Sequence, residues 1–145
     1  MRLSVVLGFC LFASFVAAGE LKPFTSDGCS AFPEGTRSQK ELWLHCCTEH
    51  DRAYWRGGTY KQRWIADEQL RNCVANAGEE EIAQLMLAGV RVGGSPFWPT
   101  DFRWGYGWDY PHFYGQHTPV ELAEINAMEK AEAEAEALKS NNSAP

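Results

Sequence analysis

In the middle of the chain Ala66, Leu70, Cys73 and Ala77 recur every three or four positions, which predicts one apolar stripe along a helix. Thr59-Tyr60-Lys61-Gln62 opens that helix with a capping-box pattern, in which the threonine and glutamine side chains satisfy free backbone donors, and Gly78 ends it. The same pattern occurs upstream at Ser38-Gln39-Lys40-Glu41. A helix is therefore predicted from Ser38 to about Arg56, stopped by Gly57-Gly58 because glycine takes up a left-handed helix end cheaply. The two helices then face each other across the glycine turn. Ile82, Leu85 and Met86 predict a third helix from about Glu79 to Ala88, ahead of Gly89, Gly93 and Gly94.

The flanking segments carry other patterns. Gly19 to Arg37 holds three turn-forming stretches, Thr25-Ser26-Asp27-Gly28, Phe32-Pro33 and Glu34-Gly35, without a period, and reads as loop. Pro96 to Tyr114 places nine aromatic residues in nineteen positions interrupted by Gly and Pro, which reads as loop with short strands. Its rings are expected in the core, since a small domain needs large side chains to bury enough surface; a lipid interface or an acyl-chain channel are the alternative uses. Thr118-Pro119 predicts a last helix to about Lys139, solvated and fraying along its Ala/Glu run, then a disordered tail from Ser140 to Pro145. Residues 1–18 combine Arg2, an apolar run from Leu3 to Val16 and a small-residue end, the pattern of a secretory signal peptide too short to span a membrane comfortably. The expected organisation is a leader at 1–18, a domain at 19–117 that includes the aromatic region, and a C-terminal helix and tail at 118–145.

A composition 45% hydrophobic and 22% charged fits one globular domain rather than a disordered chain. The net charge of −6, one unit more negative without Arg2, argues against nucleic acid and against a polybasic grip on anionic lipid. The mature chain is expected to be exported, secreted or periplasmic, with no transmembrane anchor. Cys10 leaves with the leader. Cys29, Cys46, Cys47 and Cys73 remain, an even number in an oxidising compartment, so two disulfides are expected, with three pairings open.

Candidate chemistry concentrates in Cys46-Cys47-Thr48-Glu49-His50-Asp51-Arg52-Ala53-Tyr54. On a helix Cys47, His50 and Tyr54 share a face, while Asp51 is rotated about 100° from His50 toward a neighbouring loop. A bridge from Cys29 to either adjacent cysteine would staple the Asp27-Gly28-Cys29-Ser30 turn beside Asp51, gathering two carboxylates and several carbonyls. Such hard oxygens suit calcium, which accepts irregular coordination, better than magnesium. Zinc on His45, Cys46, Cys47 and His50 is disfavoured, because adjacent exported cysteines oxidise and their side chains diverge. Asp67 on the second helix folds back toward His50; a carboxylate on one ring nitrogen fixes the tautomer and frees the other as an acceptor, and Tyr54 can bond the same carboxylate.

Cys-Cys-x-x-His-Asp-x-x-Tyr, followed by Asp67 and by Cys73 six residues later, resembles the active-site core of secreted phospholipase A2. The Asp27-Gly28-Cys29-Ser30 turn is more similar to the calcium loop of the bacterial and fungal-type branch, and the resemblance spans about Thr25 to Val74, a third of the chain. It implies an all-α fold, a phospholipase A2-like core of two antiparallel disulfide-linked helices with a calcium-binding loop. It implies His50 as general base on water, Asp67 as its orienting partner and Tyr54 as a supporting donor. Asp51, Asp27 and the Gly28 carbonyl would hold Ca2+, and Cys29 would pair with Cys47 and Cys46 with Cys73. The implied activity is calcium-dependent hydrolysis of a glycerophospholipid acyl ester, at the sn-2 position, by a monomer acting at a membrane or micelle surface. The glycine-rich, two-cysteine loop of the animal enzymes is absent, with Phe32-Pro33-Glu34-Gly35 in its place. The alternative is an inactive binding or toxin-like module on the same scaffold, and a third reading is a purely structural secreted protein.

Overall fold

A computed structural model describes residues 19–142; the expected leader and the last three residues lie outside the described residues. The fold is mostly helical, with four helices, α1 (Leu44–Arg56), α2 (Tyr60–Asn76), α3 (Glu80–Gly93) and α4 (Pro119–Asn142). No strand occurs among the described residues, and an isolated antiparallel bridge between Leu21 and Trp108 stands where short strands were expected.

α1 starts six residues later than the Ser38 pattern predicts. The serine is already engaged, its Oγ 3.2 Å from Thr36 Oγ1, and Thr36 rather than Ser38 accepts the Gln39 N–H at 3.0 Å. Trp43 then anchors the chain, donating from its backbone to Glu34 O at 3.0 Å and from its indole to Pro33 O at 2.7 Å, so a loop is wound where the first helical turns were expected. Gly57 (φ 73°) and Gly58 (φ 120°) end α1 in a conformation that side chains disfavour. Thr59 opens α2 with both arms of the capping box, Gln62 N–H on Thr59 Oγ1 and Thr59 N–H on Gln62 Oε1. α3 runs five residues past the expected Ala88, through Gly89, because packing against α2 outweighs a glycine penalty of about 1 kcal/mol.

The main core joins Cys29, Trp43, Cys46, Cys47, Leu70, Val74, Ala83 and Met86. A second cluster of Leu21, Trp55, Trp108 and Ile125 lies at the other end of α1. The aromatic segment divides between two environments: Trp104 and Trp108 are buried, whereas Phe97, Trp98, Phe102, Tyr110 and Phe113 are exposed, so the core expectation holds for only part of it. Its buried part closes α1. The carbonyls at a helix end have no partner inside the helix; here Tyr54 O accepts from Gly105 N at 2.7 Å, Trp55 O from Gly107 N at 3.2 Å, and Arg56 O from the Trp108 indole at 2.7 Å. The Trp104 indole takes Gly58 O at 2.8 Å.

α4 begins as expected at Thr118-Pro119, with Thr118 and Glu121 exchanging reciprocal capping bonds. It continues to Asn142, so residues 140–142 are helical rather than disordered. Nor is its Ala/Glu run wholly solvated. Glu132 makes a two-pronged pair with Arg52 at 2.8 and 3.0 Å, one turn beyond the Glu129 pair with Arg56, while Ile125 is buried.

Replacing Trp108 by Phe keeps most of the ring but strands the Arg56 carbonyl. The expected loss is about 1–3 kcal/mol in urea unfolding; a change below about 0.5 kcal/mol would show that this donor is dispensable.

Candidate active site

Adjacent cysteines on α1 reach in different directions. Cys46 is bridged to Cys73 on α2, and Cys47 to Cys29 in the N-terminal loop. Cys47, expected on the His50 face, is thus turned to the loop, and the α2-facing side of α1 carries Cys46, His50 and Tyr54. His45 Nε2 approaches the sulfurs of Cys46 and Cys73 at 3.5 and 3.4 Å, but these sulfurs are bonded to each other and offer no thiolate to zinc.

His50 Nε2 lies 3.0 Å from Asp67 Oδ1, and the Tyr54 hydroxyl donates to the same oxygen at 2.7 Å. Asp67 is 0% exposed, so its charge is met by protein donors alone. Burial and the Asp67 charge push the Tyr54 hydroxyl pKa far up, which keeps it a donor. Gly94 lets the phenol in: a Cβ there would stand 2.5 Å from its oxygen. With Nε2 on the carboxylate, Nδ1 is the ring nitrogen left to accept a proton. His50 lines an apolar cavity of about 280 Å³ whose walls include Phe32, Val90, Gly93 and Phe102.

On the other face of α1 the N-terminal turn clasps Asp51. Ser26 Oγ donates to Asp51 Oδ2 at 2.6 Å. Asp27 itself is exposed and accepts from Ser30 Oγ at 2.9 Å. Asp27, Asp51 and Asp101 line a polar pocket of about 200 Å³ with Ser26 and Tyr106. Gly28 is buried and does not line this pocket, and its N–H donates to Ser26 Oγ at 3.1 Å. The Asp51 carboxyl is raised to about 6, chiefly by burial and further by the Asp27 charge, against the lowering effect of Ser26 and His50. The side-chain oxygens of Ser26, Asp27, Asp51, Asp101 and Tyr106 are hard donors of the kind calcium takes, and they share this pocket with the Phe102 ring. Asp51 and Phe102 line both cavities, so the polar pocket and the apolar one meet at these residues.

Sequence reasoning missed Asp101 and two guanidinium groups. Arg63 donates from Nε to the Tyr54 oxygen at 3.0 Å and from Nη1 to the Tyr114 hydroxyl at 2.6 Å. Its position, four residues before Asp67 on one helix, was a usable signal. Arg91 Nε lies 2.7 Å from Asp67 Oδ2, an ion pair whose N–H does not point along the contact. Arg91 was out of reach of a helix expected to stop at Ala88.

Comparison with protein-family models, with curated proteins and with solved structures finds no match to this chain. The functional reading therefore rests on the residues and their geometry.

Because its folded pKa lies above the ordinary 3.8, Asp51 binds its proton more tightly in the folded state. The cation-free protein gains from this below the unfolded value and loses the gain as pH rises through about 6. Asp51→Asn is expected to melt above the wild type at neutral pH in a chelator, with the gap closing in acid. A lower melting temperature at neutral pH would show that the charged form is the stabilised one.

Proposed function

We propose that this chain is a calcium-dependent hydrolase of the phospholipase A2 type, cleaving an acyl ester of a glycerophospholipid at a membrane or micelle surface outside the cytosol. One observation carries the reading: the imidazole of His50 is held through Nε2 by a buried carboxylate while lining an apolar cavity, and that cavity meets a carboxylate pocket at Asp51. The resemblance of the Cys46–Tyr54 segment to the family's core supports the same reading, and the two disulfides fit an oxidising compartment.

In the proposed reaction His50 Nδ1 accepts a proton as water attacks the ester carbonyl carbon. The carbon–oxygen bond to the glycerol then breaks, and the proton passes to the departing glycerol oxygen, giving a fatty acid and a lysophospholipid. Asp67 holds the ring and stabilises the imidazolium formed between these steps. Tyr54 keeps the carboxylate in place. Asp51 and Asp27, with the Gly28 carbonyl, would hold Ca2+, which when bound supplies positive charge to the substrate phosphate and the ester carbonyl. The apolar cavity takes the acyl chain. No acyl-enzyme is required.

General-base catalysis contributes about 10² to 10⁴ in rate. His50→Gln is expected to cut fatty-acid release from mixed-phospholipid vesicles by that factor and to leave calcium binding intact. Asp51→Asn is expected to weaken calcium binding, and a chelator to stop wild-type turnover. Full turnover in His50→Gln would refute the assignment, and wild-type calcium binding without hydrolysis would point to the inactive module.

A Cβ at Gly93 would meet only the Phe102 ring, at 3.8 Å, so there is space for a side chain there. Gly93→Leu is expected to lower turnover of long-chain esters more than of short-chain ones. Gly93→Ala is expected to raise stability by up to about 1 kcal/mol. Equal losses on all chain lengths would remove the cavity as the acyl site.

A further inference from the structure

The two oxygens of Asp67 have different partners. Oδ1 accepts from Tyr54 at 2.7 Å and from His50 at 3.0 Å, whereas Oδ2 has no aligned hydrogen bond and meets Arg91 Nε at 2.7 Å. A fully buried carboxylate with one oxygen opposite nothing would be costly, and a single cation in contact offsets that cost. Arg91 is itself held from several sides. Its guanidinium lies over the Trp64 indole, 3.1 Å from the ring centre, and Nη2 donates to Glu68 Oε1 at 3.2 Å and to Trp64 O at 3.3 Å. Behind it, Arg63 Nη2 grips the Val90 and Arg91 carbonyls at 2.8 and 2.9 Å, fixing the end of α3 from which Arg91 projects. The carboxylate cannot turn about its last bond without drawing Oδ2 away from this immobilised charge.

From this geometry we infer that Arg91 is a positioning residue: it sets the rotation of the Asp67 carboxylate, and through it the tautomer and angle of the His50 ring. The inference rests on the proposed hydrolysis for its kinetic consequence but not for its structural one. Arg63, by contrast, touches Tyr54 and α3 carbonyls and has no contact with Asp67 among its hydrogen bonds and ion pairs. Its role is to hold Arg91's segment.

The test combines kinetics with a readout independent of turnover. In Arg91→Ala, kcat on phospholipid vesicles is expected to fall roughly 10- to 100-fold, as for displaced supporting groups, with KM and calcium affinity unchanged. Millimolar guanidinium is expected to restore part of that kcat, and none in His50→Gln. Long-range proton–nitrogen NMR on the full mature chain is expected to show His50 as one tautomer, protonated on Nε2, in the wild type and as a mixture in Arg91→Ala. If Arg91→Ala does not fold, Arg91→Lys keeps the charge while losing the planar contact with Trp64, and is expected to lose several-fold in kcat at constant KM. Unchanged kcat together with an unchanged His50 spectrum would overturn the inference. A wild type that does not hydrolyse would defeat the proposed function alone, because the tautomer change would still report the positioning.

Discussion

An ionised carboxylate taken fully out of water costs several kcal/mol unless donors and opposite charge surround it, and Asp67 is in that position at the centre of the helical core. Three helices meet at it: α2 carries the carboxylate, α1 brings the donors His50 and Tyr54, and α3 brings the Arg91 charge. Satisfying this one group therefore fixes the mutual placement of all three. The same requirement that stabilises the packing also presents an imidazole with one nitrogen bound and the other directed elsewhere, which is why structure and candidate chemistry share a single point of origin.

Around that point the scaffold is reinforced by covalent and backbone means. The two bridges close sequence separations of 18 and 27 residues, each stabilising by roughly 3 kcal/mol in the chain-entropy picture, a large contribution for a domain of this size. At the opposite end of α1 the aromatic segment supplies two backbone amides and an indole to the last carbonyls of the helix. Its buried rings thus serve as a helix cap as much as core filling. α4 adds a third restraint through Arg52 and Arg56, tying the last turn of α1 to another segment.

Much of this was legible before any coordinates. The Thr59 and Thr118 caps are local side-chain-to-backbone arrangements, and their spacing alone reveals them. His50 and Tyr54 share a face because the helical period dictates it, and Asp67 follows from an antiparallel return. What was hidden depended on competition or distance. Ser38 and Glu41 have the right spacing for a cap, yet Thr36 and Trp43 offer stronger local alternatives. Gly89 reads as a stop in isolation, whereas packing on α2 carries α3 onward and brings Arg91 in. Asp101 joins the polar pocket from a segment without any period, where pattern gives no direction.

The consecutive bridges at Cys46 and Cys47 have a geometric meaning of their own. Residues four apart on a helix stand one above the other, so Cys46 lies beneath His50 and Cys47 beneath Asp51. The first sulfur and the imidazole both look to α2, at Cys73 and Asp67, and the second sulfur and the carboxylate both look to the N-terminal turn, at Cys29 and Ser26. Two welds at neighbouring azimuths forbid α1 to roll about its own axis. The angle between the His50 imidazole and the Asp51 carboxylate is thereby set in covalent bonds one turn away, independent of whatever enters either cavity.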